Sequence, residues 1–343
     1  MSVIDPWYKK YGFDPSRSLH AHCRLCFFHA SDTAVRAIAY HRYGPPSVLE
    51  VSELDELPLL PGHVRVAMHA AGVAPVDTKL RAGLLQHLVP LTLPKVPGRD
   101  GAGVVTAVAA DVQRLQAGDA VCVMPAMLGR GTTLAEALLP QQQVVRKPDS
   151  LSMQQAAALL QPGASAWIAL MRTAPIAAGM KVFIHAGSGA VGSLMVQLAA
   201  HLGAEVTATC RSANLDYVAA LGAARVIAYD REDVFGVRDQ DVVIDLVGGT
   251  THERSYALLR RGGHLVWLVA APIRERGAEF GVTVTRALIE DNQTVLEQVV
   301  ELAQRGVWRP ALSGVLPMQE IALAHQMLET GAVTRGRLVL DIG

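Results

Sequence analysis

Residues 182–192 read Val-Phe-Ile-His-Ala-Gly-Ser-Gly-Ala-Val-Gly, and no other stretch restricts the fold as tightly. Val182 to Ile184 is a short apolar run of the kind that forms a buried strand. It leads into Gly187-x-Gly189-x-x-Gly192. From Ser193 to Leu202 the apolar residues Leu194, Val196, Leu198 and Leu202 then recur at helical spacing. A strand, a glycine turn and a helix in that order form an anion cradle. Gly187 permits the tight turn, Gly189 lets the backbone approach a pyrophosphate, and Gly192 lets the helix pack close to the strand. Ser188, Ala190 and Val191 complete the loop at the positive end of the helix dipole. The glycine pattern alone is weak; the strand before it and the helix after it give it weight. A glycine-rich turn without a ligand is the alternative.

The pattern around the turn is periodic. Strand candidates Glu205 to Thr209, Arg225 to Ile227, Val242 to Leu246 and His264 to Val269 alternate with helix candidates Leu215 to Leu221 and His252 to Leu259. Such alternation implies a parallel sheet wound on both faces. Further on, 292–304 and 321–328 read as helices and 337–342 as a last strand. From Val35 to about Gln161 the signals are short strands punctuated by Pro and Gly, which suggests a compact β-rich unit. At 343 residues the chain is long enough for about two domains.

Lys plus Arg and Asp plus Glu both number 31, and no basic stripe is present, so neither nucleic acid nor an anionic membrane is an expected partner. The apolar stretch 182–204 is long enough to span a bilayer, but its glycines and His185 argue for a buried strand and helix. Four scattered cysteines make no disulfide framework, and a reducing compartment, the cytoplasm, is expected. Residues 1–34 stand apart as an N-terminal extension; translation starting at a valine near position 35 is one reading of it. His20, His22, Cys23 and Cys26 have half of a zinc-site spacing, without a second ligand pair nearby.

Several ordered motifs carry a resemblance. They are Ala71-Gly-Val-Ala-Pro-Val-Asp77, Pro97-Gly-Arg-Asp-Gly-Ala-Gly-Val-Val105, Gly118-Asp-Ala-Val121, the glycine turn, Leu221-Gly-Ala223, Asp245-Leu-Val-Gly-Gly249 and Gly336-Arg-Leu-Val-Leu-Asp341. Together they resemble the medium-chain dehydrogenase/reductase superfamily, in its zinc-independent quinone oxidoreductase (zeta-crystallin-like) family, from Val35 to Gly343. The resemblance implies an α/β chain: a Rossmann doubly wound parallel sheet domain at 163–305 plus a GroES-like β-rich domain. The latter is built from 35–162 and completed by a return at 306–343, with the active site in the cleft between the two.

The resemblance also frames the site. Zinc-dependent relatives carry a cysteine where this chain has Ala74 and Gly-His-Glu where it has Gly98-Arg99-Asp100, so no metal is expected. Ala74, Asp77 and Tyr43 are placed along the substrate cleft, although Asp77 and Asp100 equally suit turns that need a backbone acceptor. In relatives an Asn often stands at position 74 and holds the substrate oxygen. After the second Rossmann strand comes Arg211-Ser212 in place of a carboxylate. Arg211 and Ser212 suit a 2′-phosphate, and Tyr229 matches a family tyrosine beside it; a solvated surface arginine is the alternative. NADPH is therefore the expected cofactor, with its nicotinamide end near Val247 and Leu268. Ser165 matches a family Thr/Ser in that region or is a helix cap.

The expected activity is reduction of quinones or α,β-unsaturated carbonyl compounds by hydride transfer. The alternatives are an enoyl-thioester reductase, drawing on Arg99, Arg130 and Arg274 to Arg276, and a non-catalytic NADPH-binding relative. The alternating segment 281–288 suits a sheet edge and a homodimer.

Overall fold

Six short strands follow the C-terminal periodicity: Lys181–Ile184, Glu205–Cys210, Arg225–Ala228, Gln240–Asp245, Leu259–Trp267 and Thr283–Arg286. All pair in parallel, and in chain order they lie third, second, first, fourth, fifth, sixth across the sheet. The order reverses between the first and fourth strands, the place where a doubly wound sheet opens a crevice beyond its strand ends. The structure is a computed structural model and describes residues 34–269, 271–289 and 292–343. The extension, with His20, His22, Cys23 and Cys26, lies outside the described residues.

The central strand is buried on both faces, so its sequence is continuously apolar instead of alternating: Val182, Phe183 and Ile184 are all 0% exposed. On one face the helices Leu160–Trp167, Ala190–His201 and Gln293–Gln304 supply the core. On the other, Phe183, Val243, Leu265 and Tyr256 form a smaller cluster. Trp308 is fully buried and donates its indole N–H to Leu194 O at 2.8 Å, so the largest apolar side chain keeps its polar atom satisfied.

Several boundaries differ from the sequence expectation, two of them with a plain cause. The helix after the glycine turn starts at Ala190, not Ser193, because small residues enter a helix without contributing to its apolar stripe. The fifth strand starts at Leu259, not His264, because Arg260 and Arg261 are exposed and carry no apolar signal.

The other lobe is a seven-stranded sheet. Its path runs Leu312–Pro317, Arg337–Asp341, His63–Val73, Gly101–Val108, Ala120–Val123, Val144–Arg146, and Glu136–Pro140 also pairs with the long strand 63–73. Leu338 lies antiparallel opposite Val73, so the last strand of the chain completes the sheet begun by its first third. A second core fills this lobe around Val64, Val66, Val105 and Leu340. No described helix is long and apolar enough to cross a membrane.

Candidate active site

The glycine turn sits at the C-terminal end of the first Rossmann strand. Its left-handed residue is Ala186, at φ +52°, not Gly187. An alanine in that region is strained, and such strain concentrates at functional turns. Gly187 serves packing instead: a Cβ there would lie 2.8 Å from Ala208 Cβ. At Gly192 a Cβ would lie 2.2 Å from Ala186 O, so only glycine lets the helix start this close to the turn. Gly189 differs from both. A Cβ there would meet only Ala186 O, at 3.5 Å. The space before it is open, and it heads a twelve-residue helix whose first amides have no partner within the helix. This open cradle fits the pyrophosphate of a dinucleotide.

A cleft of about 470 Å³ runs from this cradle between the two sheets. Of the expected site residues, Gly189, Ala190, Val191, Gly192, Val247, Leu268, Ser165 and Ala74 line it. Gly187 and Ser188 lie behind it. The Ser188 hydroxyl donates to Thr334 O at 2.8 Å and its carbonyl accepts from Gly336 N at 2.8 Å. The segment leading to the last strand therefore crosses directly over the turn. Ser165 is not a cap. It lies inside the helix Leu160–Trp167, and its hydroxyl donates to Gln161 O one turn back at 2.9 Å.

Asp77 and Tyr43 do not line the cleft. Asp77 is 4% exposed and faces its own turn, accepting from Ala74 N at 3.0 Å and Gly98 N at 3.3 Å. Burial holds its carboxyl above the usual range. Tyr43 packs over Gly83, where a Cβ would touch its ring at 3.1 Å. Tyr40 is 1% exposed and belongs to the core.

The floor of the cleft holds a buried charge network. Asp100, 0% exposed, pairs with Arg337, 3% exposed, and accepts from Gln161 N at 3.1 Å; Arg337 Nη1 also donates to Gln161 Oε1 at 2.8 Å. Three distant segments are pinned together here. Arg99 lines the cleft nearby, with Nη1 on Pro125 O at 3.1 Å. Gln161, Arg286 and Arg337 were missed as site residues. The signal for Arg337 was an arginine beginning an otherwise apolar strand, which demands a buried partner. For Gln161 and Arg286 the sequence carried no signal.

Asp245, at the end of the fourth strand, accepts from Val247 N and Gly248 N, both at 2.8 Å, and from His252 Nδ1 at 2.8 Å. His252 continues to the Tyr256 hydroxyl at 3.2 Å. This buried chain fixes the loop that presents Val247. His185 is likewise structural: it is 2% exposed and shares a hydrogen bond with the Ser255 hydroxyl at 3.0 Å.

Past the end of the second Rossmann strand, Arg211 is exposed and its Nε donates to the Tyr229 hydroxyl at 3.1 Å. Ser212 is already engaged, both N and Oγ donating to the Asp230 carboxylate at 2.8 Å. A carboxylate absent from the end of the second strand thus reaches the same corner from just past the third, and those bonds lower its pKa.

Residues 60–149 match the alcohol dehydrogenase GroES-like domain, and residues 221–340 match the zinc-binding dehydrogenase family. The NADPH-dependent alkenal/one oxidoreductase of Arabidopsis thaliana chloroplasts is 31% identical over 89% of this chain and 79% of its own. The solved quinone oxidoreductase of Pseudomonas syringae is 30% identical, with a TM-score of 0.80 over 90% of this chain and 99% of its own. Escherichia coli quinone oxidoreductase, solved in complex with NADPH, is 27% identical, with a TM-score of 0.81 over 89% and 99%.

Proposed function

The chain belongs to the zinc-independent, quinone oxidoreductase-like family of the medium-chain dehydrogenases/reductases and is an oxidoreductase, and we propose that it reduces quinones or α,β-unsaturated carbonyl compounds with NADPH. The observation that carries this reading is the continuous cleft from the open glycine cradle to a pocket whose walls include the apolar Val73, Val76 and Met127.

Amides of the turn 187–192 and the helix start hold the pyrophosphate, and Arg211 with Tyr229 holds the 2′-phosphate. Val247, fixed through Asp245, and Leu268 border the nicotinamide end, with the Ser165 hydroxyl beside them. Bound there, NADPH supplies a hydride to an electrophilic carbon. The apolar walls orient the acceptor and exclude water, which strengthens every charge interaction inside the cleft. In place of the ligands of zinc-dependent relatives stand the Ala74 methyl and the Arg99 guanidinium, a cation that repels a metal ion. Of the arginines that would serve a thioester tail, Arg130 and Arg274 to Arg276 lie off the cleft; Arg130 bonds Asp55 O and Arg276 pairs with Glu279.

The test is NADPH oxidation with a small quinone and a small enone, set against crotonyl-thioester. Turnover of the first two alone supports the proposal. Tight NADPH binding without oxidation in any of them overturns it in favour of a non-catalytic binder.

Arg211→Ala is expected to weaken NADPH by about 10- to 100-fold, as losing a charged hydrogen bond does, and to leave NADH nearly unchanged. Equal changes in both dissociation constants sink the 2′-phosphate assignment. We further propose a homodimer through the strand Thr283–Arg286, which is one edge of the six-stranded sheet among the described residues. A monomeric mass by light scattering at micromolar protein excludes it.

A further inference from the structure

Lys79, Arg99, Arg286 and Arg337 line the cleft, and no described Asp or Glu does. Arg337 is committed to Asp100 and Gln161, and Arg286 lies over the Trp267 ring at 5.1 Å. Arg99 is 8% exposed, and of its five N–H donors only Nη1 has an acceptor among the described residues, Pro125 O. Arg81 and Arg337 each seal an unpartnered nitrogen inside the core; Arg99 seals none, so its remaining donors open on the cleft. Behind it stand the buried carboxyls of Asp77 and Asp100, which burial holds above the usual range against the pull of Arg337 and Arg99, and the buried ammonium of Lys95. Ala74, also on the lining, offers only a methyl.

We propose that Arg99 receives the acceptor's carbonyl oxygen and holds the negative charge that forms there. This rests on the reductase reading above. When a conjugated carbonyl takes up a hydride at its β-carbon, the carbon–carbon π pair shifts toward the carbonyl carbon and the carbonyl π pair moves to oxygen. A proton from water then adds at the α-carbon and the carbonyl re-forms. In a quinone the hydride ends on one carbonyl oxygen, the ring becomes aromatic, and the charge rests on the other oxygen as a phenolate, which takes a proton from water. Both electrons arrive with the hydride already assigned to NADPH. A guanidinium held in place by burial and by its bond to Pro125 O stabilises such an oxyanion without reorganising. The site therefore selects acceptors whose reduction places charge on oxygen and rejects isolated alkenes.

The probe is para-nitrophenol, titrated into the full-length protein with and without NADP+, with its phenolate absorbance read against pH. In the wild-type protein the bound probe is expected to ionise about tenfold more readily than in water, because a neighbouring cation favours the charged form. Arg99→Gln removes that shift while NADPH still binds. Arg99→Lys keeps part of it, retaining the charge but not the fork of donors. Turnover of an enone by Arg99→Gln falls about 10²- to 10³-fold in kcat with KM little changed, as for loss of an oxyanion donor. The proposal is overturned if Arg99→Gln ionises the probe as the wild type does, if Lys79→Gln and not Arg99→Gln abolishes the shift, or if the probe does not bind. A phenolate shift without any NADPH oxidation would sink the reductase reading and leave the oxyanion site standing.

Discussion

Asp100→Ala is expected to cost about 3–5 kcal/mol of stability at neutral pH, the usual loss when one partner of a buried ion pair is deleted. The cost does not mean that the pair itself is strongly stabilising. Arg337 is 3% exposed, and without Asp100 its charge stays buried with only Gln161 Oε1 beside it. Packing allows no rearrangement, because a Cβ on the adjacent Gly72 would already sit 2.6 Å from both Arg337 Nε and Asp100 Oδ1. Urea unfolding checks the value, and a loss below about 1 kcal/mol contradicts it. The double variant Asp100→Leu/Arg337→Met is expected to recover most of the loss, since apolar replacement removes both desolvation penalties.

The same residue has a pH signature. Burial pushes the Asp100 carboxyl up to about 6, against the pull of Arg337 and Gln161 N. Its folded pKa lies above its unfolded value near 4, so folding takes up a proton between about 4 and about 6. This contribution favours the fold below that window and is lost as pH rises through it. Asp100→Asn should flatten that slope in a stability–pH profile; an unchanged slope contradicts the assignment.

The second large effect separates two glycines three residues apart. Gly192→Ala forces a Cβ to 2.2 Å from Ala186 O and 2.9 Å from Ala186 C, backbone atoms that cannot swing away. The expected loss is about 1–3 kcal/mol or more of stability, together with the nucleotide site. Gly189→Ala meets only Ala186 O at 3.5 Å, an ordinary contact. That variant should melt as the wild type does yet bind NADPH at least about tenfold more weakly, because its methyl enters the space kept for the pyrophosphate. Thermal melts and nucleotide fluorescence read both. If Gly189→Ala binds normally, the open space before Gly189 is not the phosphate cradle.

Much of the fold was legible in the sequence, because local periodicity and packing agree. The apolar runs at 182–184 and 242–244 and the helical spacing at 193–202 each solve one burial problem, and the parallel pairing follows from right-handed crossovers. The glycine turn was legible too, although its strained residue proved to be Ala186: a pattern of glycines records where Cβ atoms are excluded, not where φ is positive. Asp77 was legible as a polar turn residue and Ser212 was expected at a 2′-phosphate, but the partners the structure gives them were not legible. Asp230 reaches Ser212 from just past another strand, and the Gly98 amide reaches Asp77 from another loop.

The sequence by itself determined the alternation of strands and helices and the strand–glycine turn–helix unit, since each such unit is written within a span of about 30 residues whose physics is local. Only the tertiary structure decided that Asp100, Gln161 and Arg337 share one buried network, that residues 334–336 cross the glycine turn, and that Arg99 faces an acid-free cleft. Those facts depend on desolvation and on contacts between segments up to 237 positions apart. Burial and charge pairing are properties of the assembled space and have no period along the chain.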